Sequence, residues 1–380
     1  MLSMVRIQEI NEIQELAGHR AAWDVLLSQT TDGTFFQSLD WLECYWKHFG
    51  AGQRLRVLLV SEGDRITGIL PLVVTREATH VGTIGTLTYP LHDWGSFYAP
   101  IGPDPAATLR AGLRHIRQTP RDWDLMDLRW VDLKGSDQDP TEQAMRESGF
   151  KPRRQAWAKT AVIKLEGGWD AYWKGRSKKW RHNVTNCTRR MVELGELSYL
   201  RYRPAGQACN DGDPRWDLFD ACVDVARRSW QGSSTSGTTL CHESVYAFLR
   251  EVHGVAARCG ALDVNLLKSN GKPVAFAYNY YRGQRIYGLR MGFDPAFEGS
   301  GPGTVLQRMI LEDSFRRGDR HYDMGACYFT GKRPWLTEIA TSYHYTHFPL
   351  NVSRVQILRM KQWLIERWYG DKYVVCAKIG

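Results

Sequence analysis

Long apolar runs are missing from this chain. No stretch approaches the roughly 18 consecutive apolar residues that a membrane-spanning helix requires, and the best candidates, "LRVLLV" and "GILPLVV", are the size of strands. The opening "MLSMVRIQEINEIQELAG" has neither the apolar core nor the small-residue cleavage site of a secretory leader. The eight cysteines form no CxxC pair and no metal-ligand spacing. Two of them, Cys222 and Cys259, fall in patterns that read as buried helix positions. These absences argue against a membrane span, an exported disulfide scaffold and a metal enzyme, and the expected setting is a reduced cytoplasm.

What is present is aromatic and basic. A chain of 380 residues is natural for two domains of ordinary size. Fifteen tryptophans and seventeen tyrosines are enough to line clefts as well as cores. The formal net charge is +9, and much of it sits in "KGRSKKWRHNVTNCTRR", with Lys174, Arg176, Lys178, Lys179, Arg181, Arg189 and Arg190. Such a segment is either a solvated helix face or a seat for a polyanion such as tRNA.

The order of elements is mixed α/β. Helical patterns are expected at 6–18 and 37–49, the latter capped by Ser38, followed by the hairpin "LRVLLVSEGDRITGILPLVV". Helices near 105–118 and 140–148 flank the strand "DWDLMDLRWVD". From Asp170 to Leu194 apolar residues recur at steps of three, four and seven, which predicts one amphipathic helix. Helices near 214–230 and 242–259 then lead into a second hairpin, "LDVNLLKSNGKPVAFAYNYY", with the Asn-Gly turn signal. The two hairpins share length and layout, so the halves read as weak internal duplicates.

The second hairpin feeds the strand "IYGLRMGFD", the loop "EGSGPG", a helix and the strand "HYDMGA". Glycines at a helix N-terminus leave N–H groups and the positive end of the dipole open to a phosphate. Pro302 fixes φ, and Thr304 caps the helix or donates its hydroxyl. The loop is neither a Walker loop, since no Lys-Ser/Thr follows it, nor a dinucleotide GxGxxG, since a hairpin precedes it. On its own it is a phosphate cradle or a tight turn.

Its surroundings carry a resemblance. "RRSWQGSSTSG", with Trp230 and Gly232, and "NGKPVAFAYNYYRGQRIYGLRMGFDPAFEGSGPGTVLQRMILEDSFRRGDRHYDMGA" resemble the FemAB-like and CelD-like tandem-domain branch of the GCN5-related N-acetyltransferase (GNAT) superfamily. The likeness covers about residues 160–340. In the first half only the plan and "YPLHDWGSF" are similar. The loop is one residue longer than the branch's usual Ser-Pro-Gly. Where the branch has a Tyr-Lys pair, this chain has Gly331-Lys332, with Tyr328 nearby.

The resemblance implies two tandem GNAT-like α/β domains with mixed sheets. The expected division is 1–155 on the acceptor side, 156–350 as the acyltransferase domain, and 351–380 as a C-terminal helix and tail. It implies transfer of an acyl group, acetyl foremost, from acyl-CoA to an amine, with an amino sugar or another cell-envelope or exopolysaccharide precursor as the reasonable acceptor. Two alternatives stay open: aminoacyl-tRNA-dependent transfer to a cell-wall precursor, with tRNA on the basic segment 174–190, and a non-enzymatic polyanion-binding module. The implied donor contacts are Ser300, Gly301, Gly303 and Thr304 for the pyrophosphate and the strand at Leu289, Arg290 and Met291 for the acyl carbonyl. Asp323 is the candidate general base, with Lys332 and Tyr328 as further catalytic candidates. Asp93, Trp94, Trp230 and Arg290 are candidates for holding the acceptor.

Overall fold

The computed structural model describes residues 5–133 and 139–369. Among them are twelve strands: β1 (Val5–Ile10), β2 (Arg54–Glu62), β3 (Arg65–Thr79), β4 (Gly82–Thr88), β5 (Leu125–Asp132), β6 (Arg153–Lys164), β7 (Leu197–Tyr202), β8 (Leu262–Ser269), β9 (Lys272–Arg282), β10 (Arg285–Phe293), β11 (His321–Ala326) and β12 (Glu338–His347). The described residues divide into two compact units, one built from 5–159 and 341–369, the other from 160–340.

Each unit repeats one pairing plan. In the first the order is β1-β2-β3-β4-β5-β12, in the second β7-β8-β9-β10-β11-β6. Successive neighbours are antiparallel except β4 with β5 and β10 with β11, which are parallel. The duplication expected from the hairpins is therefore present in the whole sheet order. Among the described residues four hairpins close with two-residue loops; besides His80-Val81 these are Gly63-Asp64, Asn270-Gly271 and Gly283-Gln284, and the last three are the ones rich in glycine. Five of the six residues in those three loops carry Gly or positive φ as such turns demand.

Three expectations change. The expected second domain, 156–350, loses its end, because residues 342–347 of β12 pair with β5 of the first unit. The tail helix is Ser353–Tyr369, and its Val355 packs with Ile84, Leu125 and Phe348 of that same unit. The helix expected over 6–18 begins instead as β1, because its alternating "VRIQEI" pairs along β2 and Glu9 meets the buried Arg56 there. The single helix expected over 170–194 is two, Trp169–Lys174 and Lys178–Leu194. Gly175 ends the first, and the Ser177 hydroxyl caps the second by accepting from Trp180 N–H. Of the cysteines, Cys222 is buried and Cys259 is exposed.

The second unit's sheet is buried on both faces. Along β9, Ala275 and Ala277 pack with Val305 and Leu306 of helix Pro302–Arg317, while Tyr278 meets Phe219 and His253 from helices Trp216–Arg228 and Glu243–Arg258. A strand covered on both faces needs apolar residues at nearly every position, and "VAFAYNYY" supplies them. One buried ion network reaches the start of β11. Arg201 and Arg203 share Asp263 (2.6 Å from Arg201) and meet Asp319, 2.7 Å from Arg203. Paired charges satisfied in this way hold Asp319, and hence the entry of β11, in register.

Candidate active site

The site begins where two parallel strands part. The β10–β11 ladder has three pairs, the last Tyr287 with Asp323. After it β10 bulges against β9, where Gly288 pairs with Asn279 and Arg290 with Tyr278, leaving Leu289 as the extra residue. A bulge takes the extra residue out of the ladder and re-aims the strand. A Cβ on Gly288 would lie 2.7 Å from Asp323 O, so the backbones still touch there before diverging. Leu289, Arg290 and Met291, expected to meet an acyl carbonyl, lie at and just after this bulge, beyond the last β10–β11 pair.

Asp323 lies at its edge and is buried. Its Oδ1 accepts the Gly325 N–H at 2.6 Å. Burial pushes its pKa up to about 6; the Gly325 N–H and the nearby Lys332 and Arg285 charges pull only partly against that. Lys332 donates from Nζ to the carbonyls of Gly325 and Ala326, both at 2.9 Å. The ammonium thus holds the end of β11, in a turn where Gly325, Cys327 and Tyr328 all have positive φ. Tyr328 is 80% exposed and its ring lies 6.5 Å from that of Trp230, itself half exposed. Asp323, Lys332, Tyr328 and Trp230 therefore converge at one end of the second unit's sheet.

Arg290 also reaches this end. Its Nε donates to Thr238 O and its Nη1 to Leu289 O, so the guanidinium ties the segment after Trp230 to β10. Gln231 does the same work and carried no sequence signal of its own. It is buried, donates to Met291 O and accepts from Leu240 N–H, each at 3.3 Å.

The glycine loop follows β10. It turns through a short 3-10 segment, Pro295–Ser300, into helix Pro302–Arg317, whose N-cap is Gly301 with φ +72° and no side-chain cap. The first-turn N–H groups of such a helix have no i−4 acceptor of their own. The basic helix clamps this loop from below with residues one turn apart. A Cβ on Gly301 would lie 2.6 Å from Cys187 Sγ, Arg190 donates to Gly299 O at 3.0 Å, and Ser300 Oγ contacts Met191 Sδ at 2.9 Å. The Ser300 hydroxyl also donates to Phe297 O, so it faces inward and only its backbone remains for a ligand. Gly301 is required by φ and by Cys187. Gly303 has neither constraint, since a Cβ there meets only Phe293 at 3.5 Å. Thr304 N–H bonds to Gly301 O, and its side chain is half-buried.

Two expected acceptor residues lie in the other unit, and one has no free face. Trp94 is buried, in the short 3-10 turn His92–Trp94. Its burial keeps it from stacking on a substrate ring, and the turn-rich sequence around it does not report that burial. Asp93 beside it is exposed. Within the basic segment, Arg176 is committed to Trp335 O and Leu336 O and lies 4.7 Å over the Tyr172 ring, while Lys174, Lys178, Lys179 and Arg190 are exposed.

Residues 178–335 match the family model described as an acetyltransferase (GNAT) domain. That stretch is a GNAT acetyltransferase domain. The chain is accordingly an acyltransferase. Over the rest of the chain the solved structures show a likeness of fold. FemX has a similar structure, with 12% identity and a TM-score of 0.62 over 93% of this chain and 99% of that one. L-PGS from Bacillus licheniformis is similar at 14% identity and a TM-score of 0.51, over 80% of this chain and 88% of that one. The C-terminal domain of a putative lysylphosphatidylglycerol synthetase from Agrobacterium fabrum is similar at 10% identity and 0.52, over 93% and 97%. No curated protein sequence matches the chain.

Proposed function

We propose that the chain moves an acyl group, acetyl foremost, from acyl-CoA to an amine acceptor, with Asp323 removing the ammonium proton. The observation that carries this reading is a buried carboxylate, with its pKa near 6, at the opening between β10 and β11. A base of that strength is mostly ionised at neutral pH and accepts a proton in the transition state. The residues present fit the donor. The turn at Gly301, Gly303 and Thr304 presents the positive end of its helix with no side-chain cap, which suits a pyrophosphate, and the exposed Arg190 stands beside it. The thioester of such a donor supplies the acyl group. The bulge at Leu289 is the candidate place for the acyl oxygen, and Lys332 holds the strand end that positions Asp323. Trp230 and Tyr328 offer exposed rings to the acceptor, for which an amino sugar or envelope precursor is the reading, with the first unit as the acceptor side.

A second reading, with aminoacyl-tRNA as donor, is supported by the fold likeness to FemX and L-PGS and by the exposed cations of the basic helix. Melting temperature with CoA, with tRNA and with neither separates the two, since a ligand that binds only the folded state stabilises it. Stabilisation by CoA, with release of free CoA from acetyl-CoA in the presence of amino sugars, is the expected result. Stabilisation by tRNA alone overturns the CoA reading. Lys178→Gln with Lys179→Gln should weaken any tRNA binding and its salt dependence while leaving acyl transfer to a small amine intact.

A further inference from the structure

Helix Ser353–Tyr369 has apolar residues on two faces, and the described residues cover only one of them. The inner face packs Val355, with Leu358, on Ile84, Leu125 and Phe348. On the outer face stand Ile357, Met360, Leu364 and Trp368, at steps of three, four and four, which places them in one stripe. Trp363 lies beside the stripe. Met360 is 58% exposed, Trp363 50% and Trp368 80%. A stripe of this kind in water is unfavourable, and a helix whose purpose was only to close the first unit would carry polar residues there.

The charges around the stripe indicate what covers it. Arg359, Lys361 and Arg367 flank or interrupt it, and the Arg367 guanidinium lies 5.4 Å from the Trp363 ring. Glu366 is the one acidic residue in the helix sequence, and the whole chain carries +9. Among the described residues no helix is long and apolar enough to cross a membrane. A helix of 17 residues, with tryptophans in an apolar stripe and cations at its margins, matches a helix lying in the plane of a bilayer interface. We infer that this helix docks the protein on an anionic membrane surface, its stripe among the acyl chains and its cations on the headgroups. A nucleic acid would meet an apolar centre, and a neutral protein groove would leave the three cations without partners. The inference is independent of which donor the GNAT domain uses.

The test is sedimentation of the full chain with vesicles of phosphatidylcholine alone and of phosphatidylcholine with phosphatidylglycerol. Binding to the anionic vesicles, blue-shifted tryptophan emission and loss of binding with salt are expected. Trp363→Ser with Trp368→Ser should abolish it, and each of Arg359→Gln, Lys361→Gln and Arg367→Gln should weaken it by about fivefold. All these side chains are exposed, so melting temperature and acyl transfer to a soluble amine should be unchanged. A control variant, Lys178→Gln with Lys179→Gln, separates this helix from the basic one. The inference fails if neither vesicle binds, if both bind equally, or if only the control variant loses binding. It also fails if the wild type is a dimer that the tryptophan variant converts to monomer without any vesicle binding.

Discussion

At Asp323 a buried carboxylate has a backbone N–H for its close partner, and burial raises its pKa to about 6. Asp127 stands at the corresponding place in the first unit's sheet, the third residue of β5 as Asp323 is the third of β11. Its surroundings are opposite: His344 Nδ1 at 2.9 Å and Arg129 Nε at 2.7 Å hold the carboxylate well below its usual range, overcoming burial. One position thus holds a buried carboxylate with a raised pKa in one unit, the base of the proposed reaction, and an ion-paired carboxylate in the other. Asp323→Asn should lower kcat by roughly 10²–10⁴-fold, and the wild-type rate should rise with pH through about 6. The stability effect has a definite sign. A folded pKa raised from 3.8 favours the protonated folded state, so Asp323 contributes stability below about pH 4 that is lost as pH rises through 6. Asp323→Asn should therefore gain stability over wild type above pH 6, by at most roughly 3 kcal/mol, and gain none in acid; melting curves across pH read this directly. Asp127→Asn should do the reverse, costing about 3 kcal/mol at neutral pH with kcat for a soluble amine unchanged. If Asp127→Asn silences the enzyme without unfolding it, the first unit takes part in the chemistry.

The loop before helix Pro302–Arg317 shows what glycine spacing alone conveys. The sequence put several glycines at a helix start, but it did not say which of them serve a ligand and which serve packing. Gly301 has φ +72° against Cys187, whereas Gly303 is sterically open. Gly301→Ala should cost roughly 1–3 kcal/mol through a left-handed backbone and a crowded neighbour. Gly303→Ala should be near neutral in melting temperature. Gly303→Glu should abolish CoA binding by calorimetry while leaving the unliganded melt unchanged; undiminished binding would make the loop a turn and nothing more. Legibility in the chain follows range. Hairpins, the Ser38 cap and the Asp323 strand are local patterns, and each lies where the sequence put it. The clamp of Cys187, Arg190 and Met191 under the loop joins segments more than a hundred residues apart, and the burial of Trp94 is equally a matter of packing. The return of β12 to the first sheet is decided by an edge two hundred residues upstream, which no window of sequence displays.

Two units with one pairing plan raise the question of how many donor sites the molecule has. The helix that follows the β4 connection, Pro105–Gln118, occupies the place that Pro302–Arg317 holds in the other unit. Its N-cap is Asp104, whose carboxylate accepts the Ala107 N–H at 2.9 Å. A side-chain carboxylate already sits where an anion would bind, satisfying one of the exposed donors and repelling a phosphate. In the second unit that place is glycine, with no side chain and with the basic helix beneath it. On the proposed reading, duplication of the fold therefore does not duplicate the donor site. Titration of the full chain with CoA in a calorimeter should give one site per chain, and Gly303→Glu should remove it entirely. A stoichiometry of two, or one site that survives Gly303→Glu and is lost only when the first unit's turn is altered, would transfer the donor to the first unit and leave Asp323 without its role.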